Sequence, residues 1–401
     1  MLPNANFEAG DFDRIFIPIY NPVMHDERDS EMSAAPEPLI RPVMPELDTI
    51  RGLAILGVLI YHGFYWNIGL TKFAPKAQAI LTFAGLGVLG VDLFFVLSGF
   101  LITGILLRSR AQPRYYKRFY IRRALRIFPA YLLIILILIV CRKTTFAFAA
   151  LSLAYLSNLT PLVGVPISYT VLWSLAVEEH FYFLWPFLVR RLSKLSVLAV
   201  CGAIIILSPF SRLISYYAYV NDPFDKFIWN QYTWNALDGL ACGAALSIWL
   251  NGYAVKRRSR LNLSYLLLAV TGLMWVTLWH WGIATRRNAL GAALQVVPWN
   301  FAFTAILGLF LLIGTTEHKR IVQSAPLQFL GRSSYGLYLV HLLMFDVVDY
   351  FGKHGLPGIG STAPGPLIWR ASLAWTSSIL IAFLSRKYFE DRFLSLKSRY
   401  S

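Results

Sequence analysis

The sequence predicts an all-α integral membrane protein, a single polytopic bundle of about ten transmembrane helices with both termini in the cytoplasm. Three observations carry this reading. Hydrophobic residues make up 57% of the chain and charged residues 14%, with a mean hydropathy of +0.55, the balance of a chain whose solvent is largely lipid. Apolar runs of spanning length recur ten times. Lysine and arginine also divide unevenly between the connections, 23 on one alternate set against 9 on the other, and cytoplasmic loops carry such an excess.

Residues 1–48 hold ten of the 21 acidic residues, three of the 37 basic ones and seven prolines. Too poor in apolar residues to fold alone, they read as a disordered acidic cytoplasmic tail, with residues 49–395 as the membrane domain. The tail shows no apolar stretch followed by a small-residue cleavage site, so the first span is expected to direct insertion. The spans fall near 49–66, 83–107, 126–141, 172–189, 195–211, 232–250, 262–282, 298–314, 333–351 and 367–385. A further run, FAFAALSLAYLSNL at 146–159, would swap the side of every later connection and erase the charge bias if it spanned. It therefore reads as a re-entrant or surface-lying segment. None of the runs alternates with the period of a lipid-facing strand, which excludes a β-barrel.

Without its tail the chain carries 34 basic and 11 acidic residues. Because the positive charge alternates with apolar runs, it implies topology signals and an anionic ligand, and no nucleic acid. Cys141, Cys201 and Cys242 sit at or in apolar segments at unrelated spacings, neither a disulfide framework nor a metal site.

Ionisable side chains inside spans are costly and are functional candidates by default. In RGLAILGVLIYH, residues 51–62, eleven helical steps return His62 to within about 20° of Arg51, roughly 16 Å further along the axis and near mid-membrane. Asp48, three residues before Arg51, can form an ion pair with it. A histidine so placed serves as general base or nucleophile, or is simply hydrogen-bonded within the bundle. In YYKRFYIRRALRIFPAY, residues 115–131, Arg118, Arg122 and Arg126 recur every four residues with Arg123 beside them. That face suits a bound phosphate group, or acts purely as a topology signal. In TVLWSLAVEEHFYFLWPFLV, residues 170–189, Ser174, Glu178 and Tyr182 share a face, which makes Glu178 the stronger candidate over Glu179 and His180. The glutamates precede the histidine, so the H-E-x-x-H zinc pattern is absent, and no other metal ligand set occurs. Asp92, Ser98, Gly99 and Gly104 read as helix packing. His341 in SSYGLYLVHLLMF reads as a structural hydrogen bond slightly ahead of a catalytic one.

Arg51 and His62 with ten residues between them, LFFVLSGFLI at 93–102, RRALRIFPAY at 122–131, WSLAVEEHFYFLWP at 173–186, LDGLACGAAL at 237–246, YGLYLVH at 335–341 and YFEDRF at 388–393 resemble, in this order, the membrane-bound acyltransferase family 3. The resemblance runs from about residue 45 to 395. It implies transfer of an acyl group, usually acetyl, from cytoplasmic acyl-coenzyme A to a hydroxyl of a carbohydrate or glycolipid acceptor, in a bacterial inner membrane, without a metal. Position by position, His62 matches the family's essential histidine and Arg51 its arginine partner. Arg123 and Arg126 match the arginine pair tied to acyl-donor use, and Ser174 with Glu178 match a serine–glutamate motif. On this reading His62, Arg51, Glu178, Ser174 and Asp48 form the catalytic group and Arg118, Arg122, Arg123 and Arg126 the donor site, with Glu178 orienting His62 or the acceptor. Two positions depart from the pattern: Thr49 stands where a small residue is common, and Arg392 where a proline often follows the final glutamate. The soluble esterase-like domain that some members append is not expected within these 401 residues. The competing class is a transporter that moves a glycan or small solute past the same polar residues, without chemistry.

Overall fold

The computed structural model describes residue 41 and residues 43–66, 74–219, 228–252, 257–283, 288–354 and 364–396. Most of the expected tail, residues 1–40 and 42, lies outside the described residues, as do residues 397–401. All regular secondary structure among the described residues is helical, without a strand.

The helices are α1 (Pro45–Phe64), α2 (Pro75–Ala84), α3 (Gly90–Ser109), α4 (Tyr115–Val140), α5 (Phe146–Leu153), α6 (Leu172–Arg191), α7 (Lys194–Tyr219), α8 (Thr233–Gly252), α9 (Arg257–His280), α10 (Ala289–Leu294), α11 (Val297–Gly314), α12 (Ala325–Arg332), α13 (Ser334–Lys353), α14 (Pro364–Ser385) and α15 (Asp391–Ser395). Ten of these have 18 residues or more, and each overlaps one expected span. Among the described residues, seven segments are long and apolar enough to cross a membrane; α6, α8 and α13 are not among them. Each of those three carries polar residues in the interior, among them Ser174 and Glu178, Asn235 and Asp238, and His341. The helices around them present leucines, isoleucines and phenylalanines outward: Leu132 and Leu136 on α4, Ile206, Phe210 and Ile214 on α7, Leu273 and Val276 on α9 are all exposed. An apolar exterior of this extent is stable only against lipid.

Local chemistry sets the helix ends. Pro45 and Pro75 occupy the first turns of α1 and α2, where a missing N–H costs nothing. Thr145 caps α5 by accepting from the Phe148 N–H at 3.1 Å. With 8 residues α5 is about 12 Å long, far short of a bilayer core. It instead buries Phe148 and Ala149, and the Tyr131 hydroxyl on α4 donates to its Ser152 carbonyl at 2.8 Å.

Two close crossings hold the centre. A Cβ on Gly99 of α3 would lie 1.9 Å from the Leu240 carbonyl oxygen, and one on Gly243 of α8 would lie 1.8 Å from that of Val96. Gly52 of α1 and Gly331 of α12 meet the Leu327 and Asp48 carbonyls in the same way, at 2.0 and 1.9 Å. Only glycine permits backbones this close, as small residues do at helix interfaces in membranes generally. Side-chain hydrogen bonds complete the frame: Tyr335 Oη to Ile127 O joins α13 to α4, Trp375 Nε1 to Leu59 O joins α14 to α1, and Trp185 Nε1 to Thr103 Oγ1 joins α6 to α3.

Candidate active site

Five of these helices, α1, α3, α4, α6 and α13, surround a cavity of about 160 Å³. Its polar lining comes from Arg51 of α1, Ser98 of α3, Arg123 and Arg126 of α4, Ser174, Glu178 and Tyr182 of α6, and Ser334, Tyr335 and Tyr338 of α13. The rest is apolar, including Phe94, Phe95, Leu101, Ile102 and Ile127. Of the nine residues singled out from the sequence, Arg51, Arg123, Arg126, Ser174 and Glu178 therefore meet at one place.

Arg51 is held by Asp48 at 2.7 Å, the ion pair that the three-residue spacing predicts. The Arg123 guanidinium lies over the Tyr182 ring, 3.8 Å from its centroid, a stacking arrangement typical of arginine. Tyr182 and Ser98 hydrogen-bond to each other and to Glu178. Neither Arg123 nor Arg126 takes part in an ion pair among the described residues; Arg51, Arg123 and Arg386 act on Arg126 as like charges, and Glu178 and Glu390 are the carboxylates that act on it from a distance. A guanidinium enclosed with other guanidiniums and without a paired carboxylate is a site for an anion.

Arg118 and Arg122 are not part of this group. Arg118 donates to Gln112 Oε1 at 3.2 Å, outside the cavity, and Arg122 is exposed.

At the far end of the cavity the Tyr338 hydroxyl meets Ser174 Oγ at 2.6 Å, and Ser174 in turn donates to the Val171 carbonyl at 3.2 Å. One turn along α13, His341 is fully buried, with its Nδ1 2.8 Å from the Tyr338 carbonyl oxygen. Its Nε2 lies 3.3 Å from Nδ1 of His62, and the ring centroids are 4.8 Å apart. His62 Nδ1 is also 2.9 Å from the Val58 carbonyl oxygen in its own helix. Glu178 makes its hydrogen bonds to Tyr182 and Ser98 rather than to His62, so the group beside His62 is His341. Beyond His62, the rings of Tyr61 and Trp66 follow at 4.9 and 6.1 Å.

Ser98, Tyr338 and His341 are the residues whose place at the site the sequence reading underrated. All three lie within the motifs LFFVLSGFLI and YGLYLVH, which hinted at them, but only the packing of α3 and α13 brings them beside Glu178, Ser174 and His62.

Residues 44–386 match the Acyltransferase domain family, Acyl_transf_3. The chain belongs to that family, and the helical bundle with its enclosed arginines is its membrane domain. Among curated relatives it is 29% identical over 384 residues to the peptidoglycan O-acetyltransferase OatA of Listeria monocytogenes, covering 87% of this chain and 56% of that protein. It is 34% identical over 192 residues to YrhL of Bacillus subtilis, provisionally assigned as a peptidoglycan O-acetyltransferase, over 40% of this chain and 28% of that one. To SAS0844 of Staphylococcus aureus, provisionally an O-acetyltransferase, it is 26% identical over 349 residues, 78% and 52% of the two chains. The chain thus spans about half the length of OatA and SAS0844 and less of YrhL. No solved structure matches it.

Proposed function

We propose that the chain is a membrane O-acyltransferase that moves an acyl group, acetyl in the simplest case, from cytoplasmic acyl-coenzyme A to a hydroxyl of an envelope carbohydrate. The observation that carries this is the cavity itself. Three guanidiniums line it, two of them outside any ion pair among the described residues, and the Ser174–Tyr338 hydrogen bond forms its inner end beside the His341–His62 pair. The name of the Listeria relative supports peptidoglycan as the acceptor class.

The donor is read as a substrate whose phosphates pair with Arg126 and Arg123 while Arg51, fixed by Asp48, adds charge from α1. About 160 Å³ holds a slender thioester arm and not a whole coenzyme, since drug-sized ligands fill roughly 300 Å³ or more. The nucleotide therefore stays outside the cavity, at its mouth. That mouth faces the cytoplasm if the ten long helices all span and the arginine-rich connections lie inside.

His62 acts through Nε2. Its Nδ1 faces two acceptors, the Val58 carbonyl and His341, which leaves the Nε2 lone pair for chemistry. The acceptor hydroxyl gives its proton to Nε2, its oxygen bonds to the thioester carbonyl carbon, and the carbon–sulfur bond breaks. The thiolate takes the proton and leaves as free coenzyme A. If His62 is itself acylated first, Nε2 is again the reacting atom. Glu178, within its Tyr182–Ser98 network, balances the charge of Arg123.

The test is transfer of label from radioactive acetyl-coenzyme A into cell-wall glycan by membranes carrying wild type or His62→Ala. Transfer is expected to fall by at least about 100-fold, the usual scale for loss of a general base, at equal levels of folded protein. An active His62→Ala would sink the assignment. Label that stays in coenzyme A with wild type, while unlabelled glycan crosses the membrane, would favour the transporter.

A further inference from the structure

We propose that His341 is the positioning residue of the site, the acceptor that holds His62 in its reactive tautomer and shares its charge during transfer. The inference deepens the acyltransferase reading above and rests on it. No sequence motif or relative's name assigns the role.

Proton accounting leads to it. His341 is fully buried, so both of its ring nitrogens need partners. Nδ1 lies 2.8 Å from the Tyr338 carbonyl oxygen, which can only accept. In the neutral ring Nδ1 therefore carries the hydrogen and Nε2 the lone pair. That lone pair faces His62 Nδ1 at 3.3 Å. His62 Nδ1 also faces an acceptor, the Val58 carbonyl at 2.9 Å, so it too must carry the hydrogen and share it between the two. The arrangement is self-consistent in one way only: both rings protonated on Nδ1, with His62 Nε2 bare.

The Val58 carbonyl alone cannot set this geometry. It is already the acceptor of an α-helical backbone bond and lies on the same helix as His62, so it leaves the ring free to rotate away. His341 approaches from α13, 279 residues along the chain, at an interplanar angle of 61°. It therefore fixes the ring from a second element. When Nε2 takes the acceptor's proton, His62 becomes an imidazolium whose Nδ1–H still points at a neutral lone pair. A base oriented by a third group is the general logic of catalytic triads. Here an imidazole fills the place usually taken by a carboxylate, and no buried negative charge is needed.

The same turn of α13 connects this pair to the donor cavity. Tyr338 gives its carbonyl to His341 and its hydroxyl to Ser174 at the cavity end. A structural role for His341 would need only the bond to Tyr338, whereas a positioning role needs the lone pair toward His62. Two substitutions separate these. Asparagine places a polar atom near Nδ1 and keeps the Tyr338 bond; glutamine places one near Nε2 and keeps an acceptor for His62.

The experiment uses the full chain purified in lipid, with radioactive acetyl-coenzyme A as donor and purified cell-wall glycan as acceptor. Wild type, His341→Asn, His341→Gln, His341→Leu and His62→Ala are compared. The expected result is a kcat lower by about 10- to 100-fold for the asparagine and leucine variants, the scale seen when a supporting partner of a reacting histidine is removed. KM for acetyl-coenzyme A should stay within about twofold, and the glutamine variant should retain most of the wild-type rate. Asparagine matching wild type, or glutamine failing as badly as leucine, overturns the proposal. A second reading needs no turnover. In the chain labelled with ¹⁵N-histidine, the His62 Nδ1 resonance, assigned by its loss in His62→Ala, should shift in the asparagine and leucine variants, and an unmoved resonance also overturns it. Should His62→Ala remain active, the acyltransferase base assignment fails; should His62→Ala be inactive and His341→Asn normal, only the role of His341 fails.

Discussion

Arg122 and Arg126 lie one helical turn apart on α4 and meet opposite surroundings, solvent for the first and the enclosed cavity for the second. Spacing by four grouped Arg118, Arg122 and Arg126, yet the structure pairs Arg126 with Arg123. The reason was legible in the apolar residues: the buried stripe Phe119, Ile127, Ala130 and Ile134 passes through 123 and 126 and leaves 118 and 122 to one side. Substitution should separate them. Arg126→Ala is expected to raise KM for acetyl-coenzyme A by roughly 10- to 100-fold, the worth of one charge-assisted hydrogen bond, with a smaller effect on kcat. Arg122→Ala should stay within about twofold. Donor titrations in the labelled transfer assay decide it, and equal effects of the two would place the phosphates at the mouth alone. His62 and Arg51 were legible as a pair on one helix. The contact of His62 with His341 was not, because nothing local in either segment records a neighbour 279 residues away.

At the scale of elements, the apolar runs located every long helix, and the short α5 was recognisable because a spanning assignment contradicts the arginine count. Boundaries were less legible. The first helix begins at Pro45, ahead of the acidic residues Glu46 and Asp48, because Glu46 is fully buried in an ion pair with Arg41 and Asp48 is occupied by Arg51. The helix α2 falls almost wholly in the expected connection 67–82, and the second run, from residue 83, holds a 3₁₀ segment at Gly85–Leu89 and α3. Gly87 and Gly90 there let the chain approach the Gly57 and Ala54 carbonyls, whose oxygens would lie 2.2 Å from an added Cβ. Asp238 in LDGLACGAAL belongs to the frame. Arg212 of α7 reaches its carboxylate at 2.9 Å and also donates to the Asn235 and Ala293 carbonyls, at 2.8 and 2.9 Å, which ties α7, α8 and α10 together. Removing one partner of a buried pair strands the other charge, at a cost of about 3–5 kcal/mol. Asp238→Ala should therefore lower the thermal unfolding temperature of the detergent-solubilised chain, while any folded fraction keeps its KM for the donor. Unchanged unfolding with a raised KM would instead move Asp238 into the substrate site.

On the scale of the whole molecule, the bundle separates two groups of polar side chains along α1. The guanidinium cavity lies where α1 begins and α4 carries its arginines, and the imidazole pair lies eleven residues further along α1, past the Ser174–Tyr338 contact. Such a layout, in the orientation expected from the basic connections, suits a donor and an acceptor that arrive from opposite sides. The native thiols can test that orientation without new substitutions. Cys141, the C-cap of α4, is free and exposed, whereas Cys201 and Cys242 are free and buried. Cys141 adjoins the connection 142–171, which belongs to the basic-poor set and so is assigned to the outside. A membrane-impermeant maleimide added to intact cells is expected to label the chain at Cys141 alone, with Cys201 and Cys242 reacting only after denaturation. Labelling of Cys141 that requires permeabilised cells would reverse the bundle. It would turn the arginine cavity away from the cytoplasm and leave coenzyme A, which is made and held there, with no path to Arg126.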